Sequence, residues 1–179
     1  MVNWKIACGS TRKADAACET LVTYRLDTYV DKFINNFTHH EDSVIQLLSV
    51  DVEGFDFDVL QGGPKVLGRV QYLEFEYNWM GRWKQQNLAD AISMLENVGF
   101  VCYWPGTGGR IWRISGCWLD HYAARLWSNV ACVNQNFQEV APMADRMEEL
   151  FLATLAKGKA IHYGPLANPK KKSKSNQKY

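Results

Sequence analysis

The residues from Ile45 to Gly63 read I-Q-L-L-S-V-D-V-E-G-F-D-F-D-V-L-Q-G-G. The first part is apolar and β-prone and predicts a strand over residues 45–52. After Gly54 the apolar residues follow a helical period, which stops at Gly62-Gly63. Unbroken apolar character indicates burial on both faces, so we expect a central parallel strand. A strand that carries carboxylates and a glycine into a helix is how open α/β sheets form binding sites.

Strand and helix patterns alternate on both sides of this stretch. The other predicted strands cover residues 21–26, 70–77, 100–104, 110–114 and 129–133. The predicted helices cover residues 27–37, with Asp27 or Thr28 as the cap, 55–67, 87–98 and 143–156. Strands separated by helices of crossover length imply an α/β fold with a mostly parallel sheet. The strands that close the chain predict an antiparallel strand at one side of that sheet.

Composition limits the function classes. The 179 residues, 47% hydrophobic and 22% charged, suit one globular domain. We expect an irregular segment at 1–20, a domain at 21–157 and a disordered tail at 158–179 that is rich in lysine. Seven of the 20 basic residues follow the last acid, so the body carries about −6 against all 19 acids. An acidic body argues against a nucleic-acid-binding face.

The cysteines and the first residues bear on the compartment. Five cysteines at wide spacings, without a C-x-x-C pair, predict reduced and mostly buried thiols. The beginning of the sequence lacks a charged start followed by a long apolar region, which is unlike a secretory signal. Because no apolar run reaches about 18 residues, we expect no membrane span and place the protein in the cytoplasm by default.

Carboxylates at the predicted strand ends are the candidate site residues. Asp51 and Glu53 lie two apart, so both point to one side, and Gly54 lets the backbone turn sharply. Glu76 lies at the end of the next strand. Such groups can act as a general base, accept ligand hydrogen bonds or bind a cation. Alternatively, Asp51 caps the following helix and Glu53 pairs with a surface cation.

Other motifs are weaker. Residues 106–109, G-T-G-G, precede a strand rather than a helix, so we expect a hairpin turn and no phosphate loop. His39-His40 lacks further metal ligands at a useful spacing. Most of the aromatic residues are candidates for the hydrophobic core. Residues 79–83 follow a strand end, so they can instead line one side of a substrate cleft.

Four motifs together resemble the FkbM-type methyltransferases. They are T-Y-R-L-D at residues 23–27, L-L-S-V-D-V-E-G at 47–54, V-L-Q-G-G at 59–63 and L-E-F-E at 73–76. The resemblance spans roughly residues 21–133, and its D-V-E-G step with the downstream V-L-x-G is fairly specific. Ser49 stands where the family has Lys, and Phe55-Asp56 stands where it has a small residue and Glu.

The resemblance implies a Rossmann-like class I fold that uses S-adenosylmethionine to methylate a hydroxyl of a small molecule or glycan. Asp51, Glu53 and Glu76 are then the expected catalytic residues, with Asp51 and Gly54 at the cofactor. The family's donor-binding glycine-rich loop has no counterpart before residue 21. We therefore expect that the N-terminal strands of the domain are missing from the chain. A non-catalytic remnant or interaction module is the alternative, and a metal-dependent hydrolase a weaker one.

Overall fold

The computed structural model of the chain describes residues 22–35 and 43–157, which form an α/β domain. The strands are β1 (Ile45–Val50), β2 (Val70–Tyr77), β3 (Phe100–Pro105), β4 (Ile111–Arg113) and β5 (Ser128–Asn134). The α-helices are α1 (Leu26–Tyr29), α2 (Asp56–Gln61), α3 (Pro64–Leu67), α4 (Leu88–Glu96) and α5 (Ala141–Ala156). A π-helical segment, Val30–Asn35, continues α1. The predicted segments 1–20 and 158–179 lie outside the described residues.

The five strands form one mixed sheet in the order β1-β2-β5-β3-β4. β1 and β2 are parallel, whereas β2–β5, β5–β3 and β3–β4 are antiparallel pairs. β1, β2 and β3 therefore run in one direction. The predicted antiparallel final strand, β5, is confirmed, but it lies inside the sheet, and the antiparallel strand at the edge is β4. The prediction of a mostly parallel sheet is wrong, because three of the four strand pairs in the described residues are antiparallel.

Hydrophobic packing covers the two faces of the sheet to different extents. The larger core cluster joins one face to α2, α3 and α4 through Leu60, Leu67 and Leu95. A smaller cluster joins the other face to α5 around Tyr103 and Val133. Nothing in the described ranges covers this second face at β1, where Leu47 is 59% exposed.

Two predictions about the early strands are wrong. Residues 22–25 form no strand, and Leu26 already belongs to α1. A short alternating pattern does not form a strand without a neighbour to pair with. β1 was expected to be central and buried on both faces, but it is an edge strand in the part of the chain that the structure describes. β1 has apolar residues on both of its faces, and the described residues cover only one of these faces.

The helices begin and end close to the predicted positions. Asn87 caps α4 by accepting the Ala89 N–H at 3.1 Å, and the Gly99 N–H closes its end on the Glu96 carbonyl at 3.0 Å. The prediction of a cap at Asp27 or Thr28 is wrong, because α1 begins before both residues. The Asp27 carboxylate instead accepts the Val66 N–H at 3.0 Å and so caps α3. None of the helices in residues 22–35 and 43–157 combines the length and the apolar character needed to cross a membrane.

The cysteine prediction is wrong for two of the five residues. Cys102 on β3 and Cys132 on β5 are register partners and form a disulfide, with their Cα atoms 4.0 Å apart. The predicted reduced state ignored strand register, which brings together residues 30 apart in the chain. Cys117 is a free, exposed thiol, and Cys8 and Cys18 lie outside the described residues.

Candidate functional site

The predicted site residues gather where β1 and β2 end. Val50, the last residue of β1, pairs with Phe75 of the parallel strand β2. Asp51 therefore follows β1 at the level of Glu76, with both side chains on the same face of the sheet. This edge also receives the loop that follows β2 and the residues that precede β5, because Tyr77 pairs with Ser128.

The loop after β1 is held in an unusual backbone conformation. Glu53 has φ 54° and Gly54 has φ 91°, both in the left-handed region. Such a φ at a residue other than glycine costs energy and tends to occur at functional sites. The side chains of Asp51 and Glu53 are exposed, and neither has a hydrogen-bond or ion-pair partner among the described residues. Both carboxylates are thus available to a ligand.

The loops after β1 and β2 are joined backbone to backbone. Gly54 lies so close to the second loop that a Cβ there would be 2.5 Å from the carbonyl carbon and oxygen of Met80. The Gly54 carbonyl accepts N–H groups from Arg82 at 2.9 Å and from Trp83 at 3.3 Å. Trp83 is completely buried and stacks on Phe57 of α2, with ring centroids 5.8 Å apart. The turn that carries Glu53 is therefore fixed to the core.

Asp56 is a further polar residue of this edge, and it was not among the predicted site residues. It is completely buried, and its carboxylate accepts the N–H groups of Gly54 at 3.2 Å and Glu76 at 3.3 Å. Desolvation raises the pKa of Asp56, and the hydrogen bonds from backbone N–H groups partly oppose that rise. Asp56 thus connects the two strand ends from beneath. The sequence feature that could have identified Asp56 is its position two residues after Gly54 and next to the apolar Phe57.

Glu76 is held by neighbours on both carboxylate oxygens. Asn78, which is fully buried, donates its side-chain N–H to Oε2 at 2.6 Å. The indole N–H of Trp127 donates to Oε1. Asn78 also accepts the Met80 N–H at 2.7 Å, which links the position of Glu76 to the loop after β2. Glu76 is therefore oriented, whereas Asp51 and Glu53 are free to reorient.

Three further features of this edge are the backbone of Gly54, the tryptophans of the loop after β2 and the possible metal ligands. Gly54 was expected at the cofactor, but its N–H is donated to Asp56 and its carbonyl accepts two loop N–H groups, so both are engaged internally. Trp79 is half-exposed, whereas Trp83 is buried in the core. In the described part of the chain, no three His, Cys, Asp or Glu side chains converge closely enough to hold a metal ion.

A separate cavity of about 440 Å³ lies between α4 and the loop after β4. Ser93, Glu96, Ile114 and Trp118 are among its lining residues. None of the residues predicted for the site lines it. We therefore take the joined loops after β1 and β2 as the candidate site.

Comparison with protein families assigns the chain to a class of enzyme domain. The sequence profile described as Methyltransferase FkbM domain matches residues 9–102, more than half of the chain. The chain belongs to the FkbM methyltransferase family, as its motifs predicted. The match begins before residue 21 and ends within β3, earlier than the expected residue 133, and it contains Asp51, Glu53 and Glu76. No curated protein and no solved structure matches the chain.

Proposed function

We propose that residues 21–157 act as an S-adenosylmethionine-dependent methyltransferase domain that methylates a hydroxyl oxygen of a small molecule or glycan. The observation that carries the proposal is the family match, because it includes the sheet edge where Asp51, Glu53 and Glu76 lie beside the two joined loops. The parallel pair β1 and β2, connected through α2 and α3, supports a Rossmann-like arrangement, in which ligands lie beyond the carboxyl ends of the strands.

The free and the fixed carboxylates suit different tasks. Asp51 and Glu53 have open lone pairs, so either can accept the proton that an acceptor hydroxyl loses as its oxygen takes up the methyl group. Glu76 already accepts two hydrogen bonds, so it is suited to orient a second group of the acceptor. Holding the acceptor in line accounts for much of the rate gain in such a transfer, because it removes the orientational cost of the encounter.

The residues at this edge fit the methyl donor in part. S-Adenosylmethionine, when bound, supplies an electrophilic methyl group, and its ammonium and ribose hydroxyl groups are hydrogen-bond donors. The carboxylate of Asp51, which has no partner among the residues that the structure describes, is an acceptor of the matching kind. Gly54 contributes through the shape of the loop, because its own polar groups are engaged within the protein.

A transfer assay tests the proposal. The full chain is incubated with S-adenosylmethionine labelled on the methyl group and with a panel of hydroxyl-bearing acceptors, and the labelled product is analysed for an O-methyl ether. We expect Glu53→Gln to reduce turnover by about 100-fold, the usual contribution of a general base. The matched control Glu139→Gln, at an exposed position beyond the opposite end of β5, should leave turnover unchanged. Absence of transfer to every acceptor would contradict the proposal.

An interaction module without catalysis is a second candidate. One side of β1 is not covered by any described residue, and Leu47 there is 59% exposed, which favours this candidate because exposed apolar residues on an edge strand can dock a partner. A chain that binds no S-adenosylmethionine but keeps its fold would support this alternative. A metal-dependent hydrolase would instead lose its activity with a chelator and regain it with Mg²⁺ or Mn²⁺.

A further inference from the structure

Two exposed tryptophans form a corner next to the candidate site. Trp79 follows β2 and Trp127 precedes β5, and the antiparallel pairing of these strands brings both to the same edge. Their ring centroids are 4.9 Å apart and their planes meet at 88°. They are 49% and 48% exposed, although large aromatic side chains usually bury most of their surface. The two rings thus meet at nearly a right angle, and about half of each residue is exposed to solvent.

This corner is fixed in shape before any ligand arrives. Trp127 has φ 58°, so a bulky residue is held in the left-handed region. Its indole N–H is donated to Glu76, which places a carboxylate beside the ring. The other oxygen of Glu76 accepts from the buried Asn78, so the carboxylate itself is held in place. A ligand in the corner would meet an arrangement that is already ordered.

In the described part of the chain, the charged groups next to the corner are carboxylates. Glu76 and its neighbours at the strand ends, Asp51 and Glu53, form no ion pair among the described residues. The two nearest arginines in sequence are directed elsewhere. Arg82 pairs with Asp58 at 3.0 Å, and Arg125 donates to the Gln86 carbonyl at 3.3 Å. Because of these contacts, neither arginine side chain is held in the corner, where it would compete with an incoming cation.

We propose that the corner of Trp79, Trp127 and Glu76 binds an alkylated ammonium group. The faces of tryptophan rings attract cations, and quaternary ammonium groups are the ligands that such aromatic corners recognise best. A rounded ammonium head touches two perpendicular faces at once, whereas a flat sugar ring stacks on only one. The carboxylate of Glu76 adds the opposite charge. If the proposed function holds, this group is the cationic end of the hydroxyl-bearing acceptor.

Choline and its neutral isostere 3,3-dimethylbutan-1-ol test the proposal, because they share shape and hydroxyl group and differ in charge. Titrations of the full chain are followed by the NMR signals of the indole N–H groups. We expect choline to bind with a dissociation constant on the order of 1 mM and about 10-fold more tightly than the isostere. Trp79→Leu should weaken choline binding about 10-fold, while Trp79→Phe should restore part of it, because a phenyl face still attracts a cation.

The controls separate charge, folding and the methyl donor. Glu76→Gln should weaken choline more than the isostere, whereas Glu139→Gln, at a distant exposed position, should change neither. Equal affinity for choline and the isostere, or no effect of Trp79→Leu in a chain with an unchanged circular dichroism spectrum, would overturn the proposal. The titration contains no S-adenosylmethionine. Binding of S-adenosylmethionine is measured in a separate titration. If choline binds and S-adenosylmethionine does not, the proposed function alone is contradicted. If S-adenosylmethionine binds and choline does not, the ammonium site alone is contradicted.

Discussion

Replacement of Gly54 by alanine tests whether the joined loops hold the candidate site. The new Cβ would be 2.5 Å from the Met80 carbonyl carbon and oxygen and 2.8 Å from the Gly81 nitrogen. These are backbone atoms, so the loop after β2 must move. The left-handed φ of 91° adds about 1 kcal/mol for any residue with a side chain, and overpacking against the backbone adds about 2 kcal/mol. The total, about 3 kcal/mol, should lower Tm by roughly 6–12 °C for a chain of this size.

Gly116→Ala is the matched control, because its φ of 82° is also left-handed but nothing lies within 4 Å of the added Cβ. It should lose only the conformational contribution, about 1 kcal/mol. Scanning calorimetry and urea unfolding of both variants measure the difference. If Gly54→Ala destabilises the protein no more than Gly116→Ala does, the close approach of the two loops is refuted.

Two further changes test the interior of the site and the sheet. Asp56→Asn keeps the shape but turns one acceptor into a donor facing N–H groups, so it should lower the unfolding free energy by about 1–3 kcal/mol at pH 7. Because burial raises the pKa of Asp56, the folded state binds the proton more tightly than the unfolded state does. The contribution of this protonation to stability is complete below the ordinary pKa of 3.8 and is lost as pH rises through the raised pKa. Urea unfolding of both proteins across that range should show this fall only when Asp56 is present; parallel curves would contradict the burial of an ionisable group. Reduction of the Cys102–Cys132 disulfide, which closes a 30-residue loop, should lower stability by about 3–4 kcal/mol, while Cys117→Ser should change it by less than about 0.5 kcal/mol. Equal Tm values with and without reductant would count against this crosslink.

Much of the fold was predictable because local patterns decide it. The alternation from β1 through α4, the caps at Asn87 and Gly99, and the final helix follow from periodicity and from turn chemistry. Strand order is a different kind of information. The place of β5 between β2 and β3, and of β1 at the edge, depends on contacts between distant residues, and a single strand's pattern does not contain them.

The candidate site was predictable to the level of its carboxylates. Asp51, Glu53 and Glu76 are polar residues at strand ends, and register brings the first and the last to one level. The role of Asp56 was not predictable, because an acid at a helix start usually lies at the surface; here it is buried under two backbone N–H groups. The pairing of Trp127 with Trp79 and Glu76 joins residues about 50 apart and likewise requires the sheet.

Calorimetric titration of the full chain with S-adenosylmethionine tests the central claim most directly. The account predicts a dissociation constant on the order of 10 μM. Asp51→Asn should weaken binding about 10-fold, because it removes one charge-assisted hydrogen bond, and Asp145→Asn, on the exposed side of α5, should leave it unchanged. A dissociation constant of millimolar order or weaker for the unmodified, folded chain would contradict the claim that it works as a methyltransferase.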